Sequence, residues 1–371
     1  MNAKIFYIFI SIFITSFITT FFLSNISFAS EERNRVEKRI AKDSYFKLAF
    51  DYVESASKIK EDLKKRMLYL HRAAILLNQQ KVEDKKDKKS STLADIIEQE
   101  LNKHKTRALY INRFHKILGD KDQEDLLIRC IKGLDINAVS IYDLTTIIDG
   151  GEKKAQALSD FIIKLKKNGV HLVEAIVGNE SAFEMIKKFQ TNKLEGKFNA
   201  INVEKEFWNE KVLEKRQYVF NDYLKLLKRI KNELPTLSLS TYIGFPDDNE
   251  LTQLISSSIG IDRLYVHCYV QDLKNAYSYC QNRIQTLDKL LAKSSNESLE
   301  ILPIFSAEND TNENIFMGKW LTQKRGNTLE KAEKTFIDQF HQHHPCQSYK
   351  TMINGFHYFS YTDILNIVSK I

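Results

Sequence analysis

The segment Asn202-Val-Glu204-Lys-Glu206 is where the sequence concentrates chemistry. Asn202, Glu204 and Glu206 alternate with Val203 and Lys205, so on an extended strand all three point to one face. Carboxylates two residues apart on such a strand are roughly 7 Å apart at the backbone. Like charges at that spacing push one pKa upward, leaving one group protonated as a general acid while its neighbour stays ionised. Glycosidic cleavage uses that arrangement. Phe207-Trp208 follows at once and supplies an aromatic face for a sugar ring.

These residues belong to a repeating pattern. From residue 107 onward, short β-branched or aromatic runs alternate with longer amphipathic stretches, eight times: 107–114, 136–144, 171–178, 198–206, 237–245, 262–270, 299–308 and 351–361. Strands alternating with helices imply βαβ units and parallel pairing, and eight units in about 260 residues match a closed barrel. The turn after the first run, RALYINRFHKILGD, lacks the Gly-rich phosphate loop of an open doubly wound sheet. The expected fold class is therefore α/β, a (β/α)8 TIM barrel over residues 105–371. Reactive residues of such barrels sit at the C-terminal ends of the strands. Those ends supply Tyr142, Asp143, Glu204, Glu206, Tyr242, His267, Tyr269, Glu308 and Tyr361, with Asn202 just below and Trp208 just beyond. Aromatic faces and carboxylates gathered at one mouth suit carbohydrate as the partner. Pairing of Glu204 and Glu206 with rim cations is the alternative role for the two acids.

Asn199-Ala-Ile-Asn202-Val-Glu204-Lys-Glu206 resembles the DGxDxDxE fourth-strand signature of family 18 glycoside hydrolases, the chitinase-like barrels. The resemblance implies a general acid at Glu206, a carboxylate at Glu204 that orients the substrate's acetamido group, and an acetamido-bonding tyrosine at Tyr269. The sequence departs from the signature in three ways. Asn199 and Asn202 replace aspartates, Glu204 is longer than the aspartate it replaces, and His357-Tyr358-Phe-Ser-Tyr361 stands where a tryptophan is expected. NVEKEFWN, DRLYVHCYV, IFSAE and FHYFSY are also similar to exported glycosidase-like barrels of Bacteroidetes. These resemblances imply action on, or binding of, a polysaccharide, N-acetylated or related. A non-catalytic carbohydrate-binding barrel and an envelope scaffold are the alternatives.

Residues 30–104 read as a small all-helical region, with Tyr45, Phe46, Leu48, Ala49, Tyr52, Val53 and Ala56 on one apolar face and Met67, Leu68, Leu70, Ala73, Ala74 and Leu77 on another. The charged stretch 81–91 is expected to be an exposed loop, and the helices 31–104 a surface for a protein partner. The uncharged apolar run after Lys4 ends at Ser27-Phe28-Ala29, the pattern of a signal peptide over 1–29, or of an N-terminal membrane anchor if uncleaved. Export to the periplasm, cell surface or medium follows, with no membrane contact beyond that segment.

The chain's 371 residues are 43% hydrophobic and 28% charged with a net charge of +7. The lysines are interspersed with acids and no arginine-aromatic patch appears, so nucleic acid is not an expected partner. No Walker A loop, HExxH, EF-hand or G-x-S-x-G elbow is present. No cofactor is expected. The cluster His341, His343, His344 closes a helical stretch with Asp338 as its one neighbouring carboxylate, and no metal is expected either. Cys130, Cys268, Cys280 and Cys346 are widely spaced and read as buried thiols.

Overall fold

The computed structural model describes residues 47–368 apart from 60–61, 82–87, 257–258, 271–273, 275, 294–298, 309–316, 324–325 and 344–350. The candidate signal segment 1–29, Tyr45, Phe46, Cys346, His344 and most of the charged stretch 81–91 lie outside the described residues.

Eight parallel strands close on themselves: β1 (Thr106–Ile111), β2 (Ala138–Ile141), β3 (Leu172–Val177), β4 (Ala200–Val203), β5 (Ser238–Ile243), β6 (Arg263–His267), β7 (Leu299–Ser306) and β9 (Gly355–Phe359). Each pairs with the next, and β9 returns to β1 through the register Ala108↔His357. The protein is a (β/α)8 barrel, as the alternation of runs implies.

The pleat explains why the strands face as they do. Residues such as Leu109, Val139, Val173, Ile201, Leu239 and Leu264 point outward to the helices and are fully buried. Their neighbours at period two point inward, and this inner row is polar. Glu174 accepts hydrogen bonds from Ser140 Oγ (2.6 Å), Ser240 Oγ (2.7 Å) and the Tyr265 hydroxyl (2.6 Å), with Arg263 at 3.5 Å. Arg263 reaches on to Glu300 at 2.6 Å. The strand bodies are therefore not apolar throughout, as the Ile, Val and Leu content of the runs suggests. They are apolar on one face only.

The last unit is divided. β8 (Thr351–Ile353) pairs with the start of β7, and the chain then steps sideways at Asn354-Gly355 to pair with β1. Gly355 has φ +151°, and a Cβ there would lie 1.9 Å from the Thr106 carbonyl oxygen, so only glycine permits the step.

Residues 47–58 form helix α1, followed by α2 (Leu63–Lys81) and α3 (Lys88–Lys103). The helix α3 begins inside the expected loop 81–91, so Lys88–Ser91 are a helical turn. Ala73, Leu76 and Leu77 meet Leu93 and Ile97, and Met352 of β8 joins this cluster. Ile75 belongs instead to the barrel's own core. A cavity of about 610 Å³ remains between these helices and the barrel's N-terminal rim, lined by His71, Ile97, Leu101, Arg107, Ile337 and Phe356 among others. No helix among the described residues is long and apolar enough to cross a membrane.

Candidate active site at the barrel mouth

β4 ends at Val203, and the chain enters a 3-10 turn at Phe207–Asn209. The two carboxylates therefore have different surroundings. Glu204 is held inside the mouth. The Tyr142 hydroxyl donates to its Oε2, and Asn202 Nδ2 lies 3.5 Å from Oε1 and 3.2 Å from the Tyr110 hydroxyl. Burial raises the Glu204 carboxyl to about 7; hydrogen bonds from Tyr142 and Tyr110 oppose the rise, and the charges of Glu206 and Glu174 add to it. Glu206 is exposed. It stands at the N-cap position of the 3-10 turn, where its side chain caps no backbone N–H and accepts a hydrogen bond from Asn209 Nδ2 at 2.6 Å. The strand thus does not carry Glu206 onto the inner face with Asn202 and Glu204, because it ends three residues too early.

Rings line the space around Glu204. Tyr110 stacks on the buried His357 with centroids 3.8 Å apart, and Tyr142 lies 5.6 Å from Tyr110. Phe359, at the end of the last strand, stands edge-on to Tyr142 and parallel to Tyr269 at 6.3 Å. His267 sits 4.1 Å from Tyr269 and 6.2 Å from Tyr242, and its Nδ1 is 3.1 Å from the Tyr279 hydroxyl. Burial first, then the Arg283 charge, lower His267 to about 4, so it is neutral near pH 7. Trp208 is buried edge-on against Tyr242, its indole also closing over Gly244, where a Cβ would lie 2.7 Å from the ring. It is a wall of the mouth rather than an open platform.

The structure brings Asn202, Glu204, Tyr242, His267, Tyr269 and Trp208 around one mouth. Glu308 lies on the same side: its Oε2 accepts from Ser306 Oγ at 2.7 Å, and its charge raises Tyr269 after burial and Tyr242 do so. Asp143 sits apart on the rim in a left-handed conformation (φ 61°), 3.1 Å from His115 Nδ1. Tyr361 is not in the mouth. It opens the last helix (Tyr361–Val368) and is buried in the core near Cys130, because a helix start at the end of β9 turns its side chain outward. Sequence reasoning found Tyr142 at a strand end but passed over Tyr110, Glu174, Phe359 and Arg283 as site residues. A lone Glu inside the apolar run HLVEAIV was the available signal for the inner polar row. Nothing local marks Arg283, which lies mid-helix.

Among the described residues no group of three or more His, Cys, Asp or Glu is arranged to hold a metal. Cys268 and Cys280 are buried free thiols and Cys130 is half-buried.

Fold and site define an α/β barrel with an acidic, aromatic mouth. Solved structures similar to the chain include the xylanase–α-amylase inhibitor protein XAIP-I in complex with trehalose (16% identity, 72% of this chain and 97% of that one, TM-score 0.41). Another is a Clostridium thermocellum protein that binds two copies of 5-methyl-5,6,7,8-tetrahydrofolic acid (12% identity, 74% and 96%, TM-score 0.43). A third is GH26C from a Muricauda species (11% identity, 84% and 95%, TM-score 0.39). No protein-family model and no curated protein matches the chain.

Proposed function

We propose that the mouth is a carbohydrate site and that the protein is an exported glycoside hydrolase acting on a polysaccharide. The observation that carries this reading is Glu204: a carboxyl raised to about 7, held by two tyrosine hydroxyls in the centre of an aromatic mouth. A group near that pKa is partly protonated at neutral pH and suited to deliver a proton to a leaving oxygen. The family resemblance assigns the acid to Glu206. Burial favours Glu204 for that role, with Glu206 the neighbouring charge that helps keep it protonated. Tyr269 and Asn202 orient the substrate, and Trp208, Tyr242 and His267 wall the mouth.

On a substrate the protein cleaves, Glu204→Gln should lower turnover ~10²–10⁴-fold, the usual contribution of general acid catalysis. Glu206→Gln removes a like charge, so Glu204 should titrate lower and the alkaline limb of the rate profile should move to lower pH. Loss of turnover in Glu206→Gln alone, with Glu204→Gln active, would return the acid to Glu206. A second reading, a non-catalytic carbohydrate-binding barrel, draws on the exposure of Glu206, which leaves only one enclosed carboxylate in the pair. It predicts saccharide binding without hydrolysis in wild type and both variants.

A further inference from the structure

Most arginines that pack into this fold are matched to acids. Arg107 holds Glu333, Arg216 holds Glu250, Arg263 holds Glu300, and Arg229 holds Glu180, Glu184 and Glu233. Arg283, on the helix Ala276–Lys293, is the exception at the mouth. Among the described residues no carboxylate lies within ion-pair distance of it. Its Nη2 donates to the His267 carbonyl at 2.7 Å and lies 3.5 Å from the Tyr279 carbonyl, and its Nε is buried without a hydrogen-bond partner among the described residues. The guanidinium lies over two rings, Phe245 at 5.0 Å and Tyr279 at 5.2 Å. Those rings are 52% and 39% exposed, unusual for large side chains that pack on a neighbour. Both also touch His267, Phe245 at 5.3 Å and Tyr279 at 5.8 Å, and His267 leads on to Tyr269 in the mouth.

A half-buried cation without a counter-charge keeps a desolvation cost that a bound anion would offset. The planar guanidinium fork fits carboxylate and sulfate oxygens in a way that a water-exposed lysine does not. Exposed rings beside it offer faces to the apolar side of a sugar. We propose that Arg283, flanked by Phe245 and Tyr279, is a subsite for an acidic sugar, and that the polysaccharide bound at the mouth carries carboxylate or sulfate groups. This rests on the carbohydrate reading of the mouth and specifies its substrate class. It also gives the surplus cation a role opposite the acidic centre: Glu204 meets the scissile region while Arg283 meets a charged unit along the chain.

The test is calorimetric titration of the full-length protein with paired probes. One pair is tri-galacturonate and its methyl ester, which share a backbone and differ in charge. The other is a sulfated galacto-oligosaccharide and its desulfated form. At least one charged probe should bind ~10-fold or more tightly than its neutral partner, the scale of a charge-assisted hydrogen-bond pair. Arg283→Gln should bring that probe down to the neutral partner's affinity without changing the neutral one, and Arg283→Lys should recover part of the difference. The member of the two pairs that is preferred identifies carboxylate or sulfate as the source. Equal affinity within both pairs overturns the acidic-sugar inference and leaves the carbohydrate reading standing. Absence of binding by every oligosaccharide, the neutral ones included, overturns both.

Discussion

The environment that suits Glu204 to the proposed acid role also bears on stability. The Glu204 carboxyl is raised to about 7 in the fold and titrates in the ordinary range when the chain is unfolded. A raised carboxyl leaves stability intact below the unfolded pKa, near 4.5, and removes it as pH climbs through the folded value. The loss should therefore fall between about pH 4.5 and pH 7, reaching about 2–3 kcal/mol at the upper end. Glu204→Gln cannot ionise, and its amide oxygen still accepts from Tyr142. It should match wild type in thermal unfolding at pH 4 and melt higher at pH 8. Equal melting at both values would mean that the carboxylate is not desolvated in the fold. The residue was legible in the sequence as one of a pair. Which member of the pair is enclosed was not, because that depends on β4 ending at Val203 and on tyrosines from β1 and β2.

At the scale of elements, the eight strands were legible because their outward faces must be apolar to meet the helices, and that requirement writes period-two runs into the sequence. The division of the last strand was not legible. It follows from Gly355 stepping beneath the Thr106 carbonyl, a contact between segments about 250 residues apart. The helical hairpin was legible as two apolar faces that a single unit cannot bury, so that it packs on the domain that follows; how deeply it enters the barrel's core was not legible. Sequence alone places a boundary in the charged stretch 81–91 and expects the barrel to stand without what precedes it. In the structure α2 inserts Ile75 into the barrel core and covers Met352, while Lys334 at the barrel's base reaches Glu98 of α3 at 3.6 Å. A chain beginning at residue 105 should still close its sheet, since every strand is retained. It should nevertheless melt several degrees below the full chain, because burial at the N-terminal rim is lost. An unchanged melting temperature would show that the hairpin adds nothing to the barrel.

For the whole molecule, the sequence points to export through the apolar run that ends at Ser27-Phe28-Ala29. We propose that the mature chain begins at Ser30. N-terminal sequencing of the protein recovered from the cell envelope or medium should read Ser30 first. A first residue of Met1 would mean that the run stays as an anchor.

By itself the sequence determined the architecture of this protein. Alternating strand and helix periods leave few closed parallel arrangements, and an eightfold count selects the barrel. It also determined that acids and aromatic residues gather at the strand ends. Tertiary structure alone decided which of them meet. Closing the sheet sets Glu204 between Tyr110 and Tyr142, turns Tyr361 into the core, and buries Glu174 among partners from β2, β5 and β6. It also sets Arg283 against two rings, with no acid among the described residues in reach. Those outcomes depend on distances between residues far apart in the chain, and desolvation and Coulomb energy follow such distances, whereas local sequence reports only period and residue type.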